Sequence, residues 1–102
     1  MPNRQKQKGN RVERLIVELL QAEGWTAKRA WGSDGRALGK AETVDITATD
    51  PTGRQVDIQV KSRKALADYL YPPEGCDLTI IKGDRKEPMV VITLEEFLKK
   101  WV

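Results

Sequence analysis

Between Thr43 and Lys64 the chain reads TVDITATDPTGRQVDIQVKSRK, and the polar residues at alternate positions are the ones able to do chemistry. Val44, Ile46 and Ala48 alternate with Thr43, Asp45 and Thr47, and Val56, Ile58 and Val60 alternate with Asp57, Gln59 and Lys61. This is the period-2 signature of two strands. Asp50-Pro51-Thr52-Gly53 between them suits a type I turn followed by a left-handed glycine. That turn sets Asp50 against Arg54 and, counting back, Asp45 against Gln59. Facing side chains have Cβ atoms about 5 Å apart, so Asp45, Asp57, Gln59 and Lys61 are expected to share one polar cluster. A carboxylate, a carbonyl oxygen and a lysine on a rigid hairpin make half of a hard-metal site with its own cation. Alternation alone also describes any strand with one wet face. The order of residue types, Asp on one strand and Gln-x-Lys on the next, tips the reading towards chemistry.

Other elements must bring further groups to this hairpin. Residues 1–9 carry several positive charges and no apolar pattern, and are expected to form a basic flexible tail. Asn10 reads as an N-cap with Glu13 as its capping-box partner. Val12, Leu15, Ile16, Leu19 and Leu20 follow at helical spacing, and Gly24 is the expected stop. Glu13 lies on the flank of that stripe with Val17 and Leu20, facing the sheet more than a cap requires, whereas Arg14 points away. Trp25 to Trp31 reads as a strand with Trp25, Ala27, Arg29 and Trp31 on one side. Gly32 to Glu42, with three glycines and no period, is expected to be a mobile loop at the mouth of the site.

Beyond Lys64 a short helix is expected at about Ala65 to Leu70, closed by Pro72-Pro73. A buried strand at Leu78 to Ile81, a turn at Gly83 to Glu87 and a strand at Met89 to Ile92 come next. Thr93 and Glu96 form a capping box for a last helix reaching Trp101. The order α-β-β-β-α-β-β-α indicates an α/β fold with a mixed sheet of about five strands flanked by helices, in a single domain over residues 10–102.

Composition narrows the chemistry. The chain has 102 residues, one cysteine, no histidine and a net charge of +3, with a pI near 9.1. One small domain of basic balance leans towards a polyanionic partner. Cys76 by itself excludes an intramolecular disulfide and a cysteine-based zinc site. The absence of histidine removes the usual general base and the triads built on it. Catalysis must then run on carboxylates, lysine and a hard cation. No signal peptide or membrane-length apolar run is evident, so an intracellular protein is expected: cytoplasmic, nucleoid-associated or, if viral, in the host cytoplasm.

On these residues the chain resembles the archaeal-type Holliday junction resolvases, a branch of the restriction-endonuclease-like nucleases with a D…(D/E)-x-K core. Lys8-Gly9 followed by Glu13-Arg14 is similar to that family's K-G-x-x-x-E-R opening. Arg29-Ala30-Trp31-Gly32-Ser33 is similar to its Arg-Ser-x-x-Ser segment, and Asp45, Gln59 and Lys61 fall where its two acids and lysine fall. The resemblance implies a restriction-endonuclease-like core, with Glu13, Asp45 and Gln59 holding Mg²⁺, for which Mn²⁺ substitutes. It implies that Lys61 assists the water or phosphate, that Ser33 sits near the cleaved strand, and that Arg14 and Arg29 bind DNA backbone. Lys8, Arg11, Arg36, Lys40 and Arg63 complete the candidate DNA contacts. A homodimer cutting opposed strands of a four-way junction follows, with no small-molecule cofactor and no membrane. Two departures stand out: Val44 replaces a proline that is no ligand, and Gln59 replaces an acid, which weakens the site by one charge. Asp57 is placed to compensate in part. The alternatives are a related nuclease for flaps or mismatches, and a DNA-binding module that has lost cleavage. Affinity should come from phosphates and junction shape, since nothing resembles a recognition helix.

Overall fold

The computed structural model describes residues 4–30 and 34–102. The chain divides into two compact units, residues 1–62 and 63–102.

In the first unit helix α1 runs from Arg4 to Ala22. It starts six residues ahead of the expected cap, so Asn10 and Glu13 are interior residues and no capping box forms there. Arg, Gln and Lys in the opening turns are good helix formers, which carries the helix through Gly9. The far end stops as expected. Gly24 takes φ 86°, and the Trp25 N–H donates to the Leu20 carbonyl at 3.1 Å while Gly24 N–H donates to Gln21 at 3.0 Å. This is the paired closure of a glycine-capped helix.

Strands β1 (Thr26–Arg29), β2 (Ile46–Thr49) and β3 (Gln55–Ile58) form an antiparallel sheet in chain order. The register is the one the turn demands, Thr47 opposite Asp57 and Ile46 opposite Ile58. Asp50 N–H donates to the Arg54 carbonyl at 2.9 Å, and Gly53 takes φ 94°. The Asp50 carboxylate also gathers the Thr52 N–H, the Arg54 N–H and the Thr52 hydroxyl on one oxygen. Those bonds, the Thr52 hydroxyl first, hold the Asp50 carboxyl below its ordinary pKa. α1 packs along β1, and Leu20, Trp25, Ala30, Ile46 and Ala48 form the buried core.

Of the expected loop Gly32–Glu42, Gly32 and Ser33 lie outside the described residues, and the rest contains a short helical turn. A 3-10 turn spans Gly35–Leu38, capped by the Asp34 carboxylate, and Gly39 closes it at φ 73°. Gly35 is buried, and a Cβ there would overlap the Ala41 carbonyl and reach 2.8 Å from Val44 Cβ. The close approach, rather than apolar content, seats the segment.

The second unit holds a 3-10 turn at Asp68–Leu70, strands β4 (Thr79–Ile81) and β5 (Met89–Val91), and helix α2 (Leu94–Lys100). Thr93 caps α2 by accepting the Glu96 N–H at 3.2 Å, as expected. The helix expected over Ala65–Leu70 is only that 3-10 turn. A segment this short lies below the length at which helices sustain themselves, and Tyr71, ahead of Pro72, is extended with ψ 120°. β4 is not buried: Ile80 is 66% exposed. The fold is mixed α/β, but among the described residues the strands form separate sheets of three and two, all antiparallel, rather than one mixed sheet of five. A parallel crossover is usually carried by a helix, and between β3 and β4 the only helical element is the 3-10 turn Asp68–Leu70. No helix among the described residues is long and apolar enough to cross a membrane.

Candidate nuclease site

Glu13 and Asp45 are the buried charged residues of the described chain, at 4% and 8% exposure. Each is held in a different way. Glu13 lies on the α1 face that also buries Leu20, seven residues on, as the helical wheel predicts. Its Oε1 accepts from Arg29 Nε at 3.3 Å, and Arg29 Nη2 donates to Asn10 Oδ1 at 3.0 Å. Arg29 is the cross-strand partner of Ile46, so both project to the covered face of the sheet.

Asp45 lies where β2 departs from simple alternation. Its N–H donates to the Ile58 carbonyl at 2.9 Å, although the register gives Ile58 to Ile46. Two residues thus oppose one, which is a β-bulge, and bulges re-aim side chains. Asp45 and Ile46 are accordingly both buried. The Asp45 carbonyl accepts from Ala30 N–H at 2.8 Å, and its Oδ2 accepts from Val60 N–H at 2.7 Å. Oδ1 takes no hydrogen bond from a described residue. The Glu13 side chain and the Asp45 backbone therefore engage adjacent residues, Arg29 at the end of β1 and Ala30 just past it.

The remaining candidates are placed as follows. Gln59 lies just past the end of β3 and is exposed, as is Lys61. Asp57, expected to join Asp45, is instead taken on the exposed face by the Thr47 hydroxyl at 2.9 Å and by Lys40 Nζ at 3.6 Å. Arg36 is bound to Asp34, with Nη2 to Oδ2 at 2.6 Å. Those hydrogen bonds lower the Asp34 pKa and raise that of Arg36. Arg11 and Arg14 are exposed on α1 and Lys8 is half-buried there. Arg63 opens the second unit. Ser33 lies outside the described residues. Asn10 is the residue that sequence reasoning missed as a site member. Its spacing of three from Glu13, on one helix face, is the signal that could have found it.

The model of the family described as archaeal Holliday junction resolvase (Hjc) matches residues 4–79. The chain belongs to that family. Its members are nucleases of four-way DNA junctions, and the matched span carries α1, the first sheet and both buried carboxylates. No curated protein and no solved structure matches this chain.

A hard divalent cation suits this donor chemistry in part. Buried carboxylates are costly unless a cation or donors meet them, and Asp45 Oδ2 has a single backbone N–H. Among the described residues no three of His, Cys, Asp and Glu cluster. Mg²⁺, however, is commonly held by one or two carboxylates with waters and substrate phosphate filling the rest. Glu13 already has a guanidinium beside its Oε1, a cation with which a metal there would compete.

Proposed function

We propose that this chain is a Mg²⁺-dependent endonuclease that resolves four-way junctions by paired phosphodiester cleavage, with Mn²⁺ able to substitute. The observation that carries the reading is the pair of buried carboxylates, Glu13 held by Arg29 at the end of β1 and Asp45 held by the Val60 N–H. Asp45 and Glu13 would hold the metal, with the Gln59 carbonyl as a third donor reached from the end of β3. When bound, the ion supplies a more acidic water and positive charge against the phosphate. The protein's own part is to orient the carboxylates through the Val60 N–H and Arg29, and to bring Lys61 to the phosphate as a mobile point charge. Ser33 would stand near the cleaved strand. Arg14 and Lys8 of α1, with Arg11 beside them, would hold backbone phosphates, as would Arg36, Lys40 and Arg63. α1, the antiparallel hairpin and the Asp45…Gln59-x-Lys61 order support a restriction-endonuclease-like core in the first unit.

Two cuts on opposed strands need two sites, so the active form is a C2 homodimer. The exposed apolar residues Tyr69, Tyr71, Ile80 and Val90 support an interface from the second unit. The Glu13–Arg29 pair favours one second reading, a DNA-binding module in which a guanidinium has taken over the cation's place. Incubating a labelled four-way junction, a duplex and a flap with protein and Mg²⁺, then with EDTA, separates these. Symmetric nicks across the junction, abolished by EDTA, are expected. Cleavage of the flap alone would redirect the substrate, and tight binding without any cut would establish the module.

A further inference from the structure

We propose that Asn10 is a positioning residue which holds Arg29 against Glu13, so that this guanidinium and a divalent cation compete for one carboxylate. The inference rests on the metal reading above. Asn10 and Glu13 are three residues apart on α1, and residues at that spacing are neighbours on one helix face. The Arg29 fork spans both, Nη2 to Asn10 Oδ1 at 3.0 Å and Nε to Glu13 Oε1 at 3.3 Å. A charge-assisted bond to a carboxylate ordinarily closes to about 2.7–2.9 Å, and the strongest are bidentate. Here the Arg29 bond to Glu13 is the longer, and the bond to the neutral Asn10 the shorter. The guanidinium is therefore placed as much by Asn10 as by the charge it neutralises. Both partners are well shielded, with side-chain exposure of 24% for Arg29 and 6% for Glu13, so the attraction is only weakly screened by salt. Removing the Asn10 acceptor lets Arg29 swing away and leaves Glu13 more open to a metal ion.

The geometry predicts a direction opposite to ordinary damage: deleting a hydrogen bond should tighten metal binding. The test is calorimetric titration of Mn²⁺ into DNA-free protein, for wild type, Asn10→Ala, Arg29→Gln and the double variant. Circular dichroism and a thermal melt confirm that each is folded. Arg29→Gln keeps a donor near Glu13 but removes the charge, and should tighten Mn²⁺ about tenfold; Asn10→Ala should tighten it about threefold. The double variant should match Arg29→Gln alone, because Asn10 acts only through Arg29. Asp45→Asn is the control for the site itself. If wild type binds Mn²⁺ in an Asp45-dependent way and Asn10→Ala binds it equally or more weakly, the inference falls and the metal reading stands. An Asn10 effect that persists undiminished without Arg29 overturns it as well. If no variant binds Mn²⁺, the metal reading fails and takes the inference with it.

Discussion

The Asp45 carboxylate accepts the Val60 N–H at 2.7 Å, just beyond the last paired residues Ile46 and Ile58. A side chain here takes over from the backbone ladder, so one bond both ends the hairpin and orients the carboxylate. Asparagine can make the same bond through its amide oxygen. Asp45→Asn should therefore fold as wild type and bind four-way junctions within about threefold, since phosphate contacts supply most of the affinity. Cleavage should fall about a hundredfold or more. Asp45→Ala removes the acceptor too, and should also lose about 1–3 kcal/mol of stability in urea unfolding. Wild-type cleavage by Asp45→Asn would remove Asp45 from the site.

Gln59 is neutral where the resolvase resemblance places an acid. Gln59→Glu adds one charge for a cation and should reach half-maximal cleavage at a lower Mg²⁺ concentration. If instead the variant is folded and inactive at every Mg²⁺ concentration, Gln59 is no simple stand-in for the acid. Lys61→Ala should bind junctions and fail to cut them.

Arg36 and Lys40 are tied to Asp34 and Asp57 at 2.6 and 3.6 Å, and must exchange those partners for phosphates. Replacing both with Ala should weaken binding similarly for all junction sequences. It should also lower the slope of log affinity against log salt by up to about two contacts. An unchanged slope would leave the two residues as intramolecular partners only.

Gly35 sits against the Ala41 carbonyl and Val44 Cβ, with the chain entering β2 immediately after. Gly35→Ala should cost about 1–3 kcal/mol through overpacking, read as a lower urea midpoint with an unchanged slope. Gly39→Ala, which meets nothing within 4 Å, should be destabilising only through its positive φ.

The Asp50 carboxyl is held below its ordinary pKa by the Thr52 hydroxyl and the Thr52 and Arg54 N–H groups. Its folded pKa lies below its unfolded one, so its contribution is complete above the unfolded value and is lost as pH falls through the folded value. Asp50→Ala should accordingly be less stable than wild type at neutral pH. That gap should narrow as thermal melts are taken into the acid range, and a gap independent of pH would locate the effect elsewhere.

Much of the first sheet and its hairpin was legible from residue types alone. Asp50-Pro51-Thr52-Gly53 specifies a turn, and a turn with period-2 flanks specifies the register, because both are properties of neighbours in the chain. The same holds for the Gly24 stop, the Thr93 cap and the inward tilt of Glu13. The family was legible for the same reason, since its motif residues are read by order and spacing. What required tertiary structure is where side chains compete over distance. Asn10 suits a cap by type, but its oxygen is claimed by Arg29 from a strand, and α1 runs through it to Arg4. The bulge at Asp45 and the burial of Gly35 depend on chain segments that approach only after folding. Ala65–Leu70 lacked the length to be a helix unaided, and which strands pair, as sheets of three and two among the described residues, is a matter of long-range contact. Spacing thus determined which residues could meet, and packing decided that Glu13 meets a guanidinium.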